Sequence, residues 1–142
     1  MTPSSKTRRV AALLCTAPLA LGVAACGSTV ATSSFKGEEH AVAQTISNLQ
    51  ADATASEQGK ICANDLAAPV VARLGGKKGC EAAIKAQLTE IDSLEVSVQS
   101  IKLGPRGSTA TAAVTSTYGG KKKRGTVALV KEGGKWKVSG LG

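Results

Sequence analysis

Four cysteines, Cys15, Cys26, Cys62 and Cys80, carry most of the reactive chemistry in this chain of 142 residues. A thiol can be alkylated, oxidised to a disulfide or bound to a metal, and its neighbours and spacing decide which. Cys26 follows Ala24-Ala25 and precedes Gly27, so small side chains flank both its thiol and the peptide bond before it. Cys15 directly follows Leu13-Leu14, whose bulk blocks such an approach. Cys62 and Cys80 form no CxxC pair, and the single histidine, His40, lies more than 20 residues from the nearer of them, which disfavours a metal site. The other concentrated chemistry is charge: Lys121-Lys122-Lys123-Arg124, helped by Lys135 and Lys137. The chain shows no Gly-rich phosphate loop, nucleophile elbow or paired-carboxylate spacing.

Cys26 gains its meaning from what precedes it. Lys6, Arg8 and Arg9 are followed by an apolar stretch from Val10 to Ala25, the layout of a secretory signal. That stretch contains Pro18 and Gly22 and is shorter than the roughly 20 apolar residues a spanning helix needs. Leu21-Gly22-Val23-Ala24-Ala25-Cys26-Gly27 resembles the bacterial lipoprotein box, in which an aliphatic and two small residues precede a cysteine that receives diacylglycerol. The resemblance implies cleavage after residue 25, lipidation of Cys26 and a location on the extracytoplasmic face of the cell membrane. Ordinary signal cleavage after Ala25 is the rival reading. Two acyl chains, each methylene adding about 0.8 kcal/mol, suffice for stable anchoring. Arg8-Arg9 also suits a twin-arginine signal, although Ala11 and Ala12 lack the bulk expected after it, which favours the general secretory route.

Removing the signal leaves 15 basic against 10 acidic residues instead of 18 against 10. A moderately basic domain outside the cytoplasm favours anionic headgroups or wall polymers over nucleic acid. Residues 26–37 are mostly Ser, Thr, Ala and Gly and read as a flexible tether, which leaves 38–142 for one folded domain. Its hydrophobic reserve is small: the aromatics are Phe35, Tyr118 and Trp136, and much of the apolar content is alanine.

The domain begins as helices. Val42, Ile46, Leu49 and Ala53 predict a helix over about 38–57, opened by Glu38 and Glu39 and ending near Gly59, while the capping-box spacing of Thr54 and Glu57 allows a break inside that span. A second helical stretch, 61–74, carries Leu66, Val70 and Leu74 on one face and stops at Gly75-Gly76. Pro69 inside it predicts a kink, or two short helices joined near Ala68. A third, about 79–91, aligns Cys80, Ile84, Leu88 and Ile91. The pattern then alternates. Leu94, Val96 and Val98 share one strand face, but Ile101 and Leu103 have the opposite parity, which predicts a β-bulge near Gln99-Ser100. Further strands follow: Ala110, Ala112, Val114 and Tyr118 inward, then 125–131 with Val127 and Leu129 inward, then Trp136 and Val138 after the Glu132-Gly133-Gly134-Lys135 turn. Helices followed by a four-stranded antiparallel meander argue for an α+β fold.

With Cys15 in the signal and Cys26 lipidated, Cys62 and Cys80 remain, and in an oxidising compartment they pair. Closing a 19-residue loop contributes roughly 3 kcal/mol on the chain-entropy model.

Three helices, the paired cysteines, a bent first strand and a terminal hairpin from Val127 to Val138 resemble small actinobacterial lipoproteins of the nuclear transport factor two-like, or cystatin-like, superfamily. The resemblance covers about residues 38–141 and implies N-terminal helices packed on a curved, cone-like sheet, in some members around an apolar pocket. Pocket positions are then Leu94, Val96, Val98, Val114, Tyr118, Leu129, Trp136 and Val138. Apart from the Tyr118 hydroxyl, none supplies an acid or base, Asp92 and Glu95 at the entry to the first strand read as solvated, and His40 reads as an exposed helix-start residue. The expectation is a non-enzymatic protein, without metal or cofactor, that binds an apolar small molecule or an envelope protein. A structural role without a ligand, or a small isomerase-like or dehydratase-like enzyme, are the alternatives. Lys121, Lys122, Lys123 and Arg124 read either as a solvated hairpin or as a contact for an anionic surface.

Overall fold

Four buried residues of the first helix form the face against which the sheet closes. In the computed structural model, which describes residues 31–90 and 94–142, helix α1 spans Gly37–Thr54 and buries Val42, Ala43, Ile46 and Gln50 at helical spacing. The expected signal, Cys26 and the first part of the tether lie outside the described residues, as do Ile91 and Asp92. Phe35, at the end of the segment read as tether, packs against the core.

Helix α1 ends before Gly59, at the span where the spacing of Thr54 and Glu57 allows a break. Ser56 takes a left-handed conformation (φ 55°), Ser56 N–H donates to the Ala53 carbonyl and Glu57 N–H to the Asp52 carbonyl. That paired hydrogen bonding is a Schellman termination with serine where glycine is usual.

The expected second helix divides. A short helix α2 (Gln58–Lys60) runs into a π-helical turn, Ile61–Asp65, and Leu66 and Ala67 are then fully extended before α3, Ala68–Arg73. Pro69 lies in the first turn of α3, where its missing N–H removes no helical bond. The extended break has its own partner, since Ala67 N–H donates to the Val138 carbonyl (2.8 Å) and Leu66 bridges Val138 in parallel. The Glu132 carboxylate accepts from Ala68 N–H, so the terminal hairpin caps α3. Helix α4, Gly76–Leu88, starts three residues before its expected position. Gly75 and Gly76, both at positive φ, reverse the chain into it, and Gly79 sits so close to the Leu74 carbonyl that a Cβ there would clash with it.

Strands β1 (Leu94–Leu103), β2 (Thr109–Tyr118), β3 (Lys121–Glu132) and β4 (Lys135–Leu141) form one open antiparallel sheet in the order β1-β2-β3-β4. The fold is therefore α+β, helices against a four-stranded meander. The β1–β2 register shifts between Val98 and Ser100, where the change of parity predicts it, and this returns Ile101 to the helix-facing side. A second shift between Ala128 and Leu129 was not legible beforehand. Strand β3 starts at Lys121, not at residue 125 as expected, because the backbone of the basic run pairs with Ser116, Thr117 and Tyr118.

The core joins Val42, Ile46, Ile61, Ala112, Leu129 and Val138. Cys62 in the π-helical turn and Cys80 in α4 are disulfide-bonded, Cα–Cα 6.0 Å, and both are buried. Among the described residues no helix is long and apolar enough to cross a membrane.

Candidate functional site

The C-terminal half of α1 does not cover the whole helix-facing side of the sheet. Where it meets the start of β1, the end of β2 and the start of β3, a groove of about 330 Å³ stays open. Its walls are hydrocarbon: Ile46 and Leu49 from α1, Leu94 and Val96 from β1, Val114 from β2 and Val127 from β3. Gln50 is buried at its edge and accepts a hydrogen bond from Val96 N–H (3.2 Å), which fixes the helix to the edge strand, and Ser116 and Thr126 also line the groove. At the mouth lie Lys123, Arg124 and Leu141, the last 77% exposed. The chain end pairs there with β3 through two bonds between Thr126 and Gly142.

The positions assigned to a pocket from sequence separate into groups. Leu94, Val96 and Val114 line the groove. Leu129, Trp136 and Val138 are in the closed core, and Val98 is half-buried beside it. Tyr118 lies at the rim on the same face, half exposed, and its hydroxyl donates to the Glu90 carbonyl beyond α4. Trp136 has a separate role, since its Nε1–H donates to Glu38 (2.7 Å) while Lys131 bonds the other carboxylate oxygen (2.7 Å). Those two bonds, Lys131 first, hold the Glu38 carboxyl below its ordinary range.

The basic run is split by strand geometry. Side chains alternate along β3, and Lys121 and Lys123 share the side of Val127 and Leu129, opposite Tyr118 and Ser116. Lys122 and Arg124 alternate to the other face, beside Thr115 and Thr117, while Arg124 also borders the groove mouth. All four are exposed.

A second cleft, about 960 Å³, contains the one arrangement of titratable groups that sequence reading missed. Asp65, at the end of the π-helical turn, is 4% exposed, and its Oδ2 is enclosed without a hydrogen-bond partner. Burial, then the charge of Asp52 and hydrogen bonding with it, push this carboxyl up to about 7 against an opposing effect of Lys137. Lys137 itself donates to the Ala63 carbonyl (2.9 Å). Asp52 and Asp65 are 13 positions apart on different elements, so no motif spacing announces them, and a helical reading of 61–74 leaves Asp65 on a solvated face. His40 is exposed at the rim of this cleft, with Nδ1 3.0 Å from the Thr32 carbonyl. Among the described residues no three His, Cys, Asp or Glu side chains are grouped to hold a metal.

Fold and site together define a small α+β domain with a disulfide-braced helical layer and an apolar groove bordered by cations. Compared with protein-family models, curated proteins and solved structures, the chain matches none.

Proposed function

We propose that this chain is a lipid-anchored extracytoplasmic protein that binds an apolar small molecule, without chemistry, in the groove between α1 and the sheet. The observation that carries the reading is the groove itself. Six of its lining residues are large aliphatics, its volume falls at the small end of the roughly 300–1,000 Å³ of ligand cavities, and Gln50 fixes its edge. A groove walled by hydrocarbon and bordered by lysine and arginine offers a tail somewhere to go and no acid or base to react with it. The two register shifts, each of which bends its strand, favour a cone-like curvature similar to that of nuclear transport factor two-like domains. The anchor is read from Leu21 to Gly27, with diacylglycerol on Cys26 holding the domain at the outer membrane surface.

Native mass spectrometry of the protein extracted from the membrane of its own cell is the direct test. The expected result is a co-purifying adduct that disappears in Leu49→Trp, which fills the groove from its exposed side. Reproducible absence of any adduct on the wild-type chain overturns the reading.

A further inference from the structure

The headgroup of the groove's ligand follows from how β3 divides its charge. Lys121 and Lys123 share the helix-facing side of β3; Lys123 lines the groove, and Lys121 stands two positions beyond it along the same strand face. No described residue that lines the groove is acidic, and among the described residues no carboxylate pairs with Lys121 or Lys123. Leu141 extends the apolar wall to the same mouth and is left largely uncovered. The walls thus run from hydrocarbon to cation along a single direction. The volume suits one acyl tail better than the two of a diacyl lipid.

We infer that the occupant is a single-chain anionic amphiphile, a long-chain fatty acid, with its tail between α1 and the sheet and its carboxylate at Lys121 and Lys123. The inference rests on the groove being a binding site and adds the chemistry of the headgroup. Each lysine near the carboxylate attracts it, Arg124 at the mouth adds to the same positive border, and the outer-face Lys122 contributes little because the sheet lies between it and the groove.

The test uses the full chain reconstituted in phosphatidylcholine vesicles and three photoactivatable probes sharing one diazirine-bearing tail, ending in a carboxylate, an alcohol or a quaternary ammonium. Labelled peptides are located by mass spectrometry. The carboxylate probe is expected to label Leu49- and Val127-containing peptides about tenfold more than the alcohol, and the ammonium least. Lys121→Glu with Lys123→Glu should bring carboxylate labelling down to the alcohol's level or below and raise the ammonium's, whereas Lys122→Glu on the outer face should leave the order unchanged. Equal groove labelling by all three probes, or equal loss from the inner pair and from Lys122→Glu, overturns the headgroup inference and leaves the groove as a binding site. Failure of every probe to label the groove of the wild-type chain overturns both.

Discussion

Asp65 keeps a proton in the folded protein at pH values where an unfolded aspartate has lost it. Its unfolded carboxyl titrates near 3.9, its folded one is pushed up to about 7, and between those values the folded state binds more protons. Unfolding free energy therefore falls as pH rises through this window: Asp65 contributes its full stability below about pH 4 and has lost it above about 7. Asp65→Asn removes the titration while retaining the shape. The variant is expected to gain on the wild type progressively from pH 5 to 8, by on the order of 2 kcal/mol at the upper end given about 1.4 kcal/mol per unit and partial shielding by Lys137. Urea unfolding at both pH values measures it, and a pH-independent difference would show that Asp65 is not the titrating group. Glu38 has the opposite sign. Its lowered carboxyl contributes above the ordinary glutamate range, and that contribution fades as pH falls through the lowered value. Neither behaviour was legible in the sequence, because each depends on which element comes to lie over the carboxyl. The cysteine pair was legible, since its partners follow from counting thiols and not from geometry.

Element boundaries divide along the same line. The bulge in β1 was readable because Ile101 and Leu103 break the parity of Leu94, Val96 and Val98, and only an inserted residue returns both sets to one face. The start of β3 was not, because Lys121 to Arg124 are polar on both faces and carry no alternation to read. The end of α1 was misplaced for a third reason: Gly59 is the better left-handed residue, yet the chain turns at Ser56. A non-glycine residue there costs roughly 1 kcal/mol, so Ser56→Gly, its gain partly offset by a freer unfolded chain, should stabilise the protein by about 0.5 kcal/mol. A lower midpoint in thermal unfolding would mean that the Ser56 side chain has a compensating role. The disulfide acts between elements. It joins the π-helical turn to α4, two segments with few large apolar side chains of their own, and replacing both Cys62 and Cys80 by alanine should cost about 3 kcal/mol for a 19-residue loop. Comparing denaturation of this variant with that of the reduced wild type separates loop closure from packing. A loss under 1 kcal/mol would assign the stability of the helical layer to its apolar contacts instead.

At the scale of the whole molecule, alternation identified which strand residues face the helices but not which of them the helices leave uncovered. Leu94, Val96 and Val114 line a groove while Leu129 and Val138, equally inward by parity, are sealed in the core. The difference lies in the angle at which α1 crosses the sheet, fixed near its start by Glu38 against Lys131 and Trp136 and near its end by Gln50 against Val96. Those contacts join residues separated by 46 to 98 positions, beyond the reach of any local pattern. Among the described residues, the core cluster runs from Phe35 to Val138. Cys26→Ser in the full chain therefore separates two quantities that a structural role for the N-terminal segment would couple. Under the proposed lipidation the variant should move from the membrane to the soluble fraction on membrane fractionation, since it would lack acyl chains whose methylenes each add about 0.8 kcal/mol of anchoring. Its thermal unfolding midpoint should stay within the range of ordinary surface substitutions, about 0.5 kcal/mol in stability. Retention of the variant in the membrane fraction would refute lipidation at Cys26, and a lowered midpoint would show that the segment before Phe35 packs on the domain.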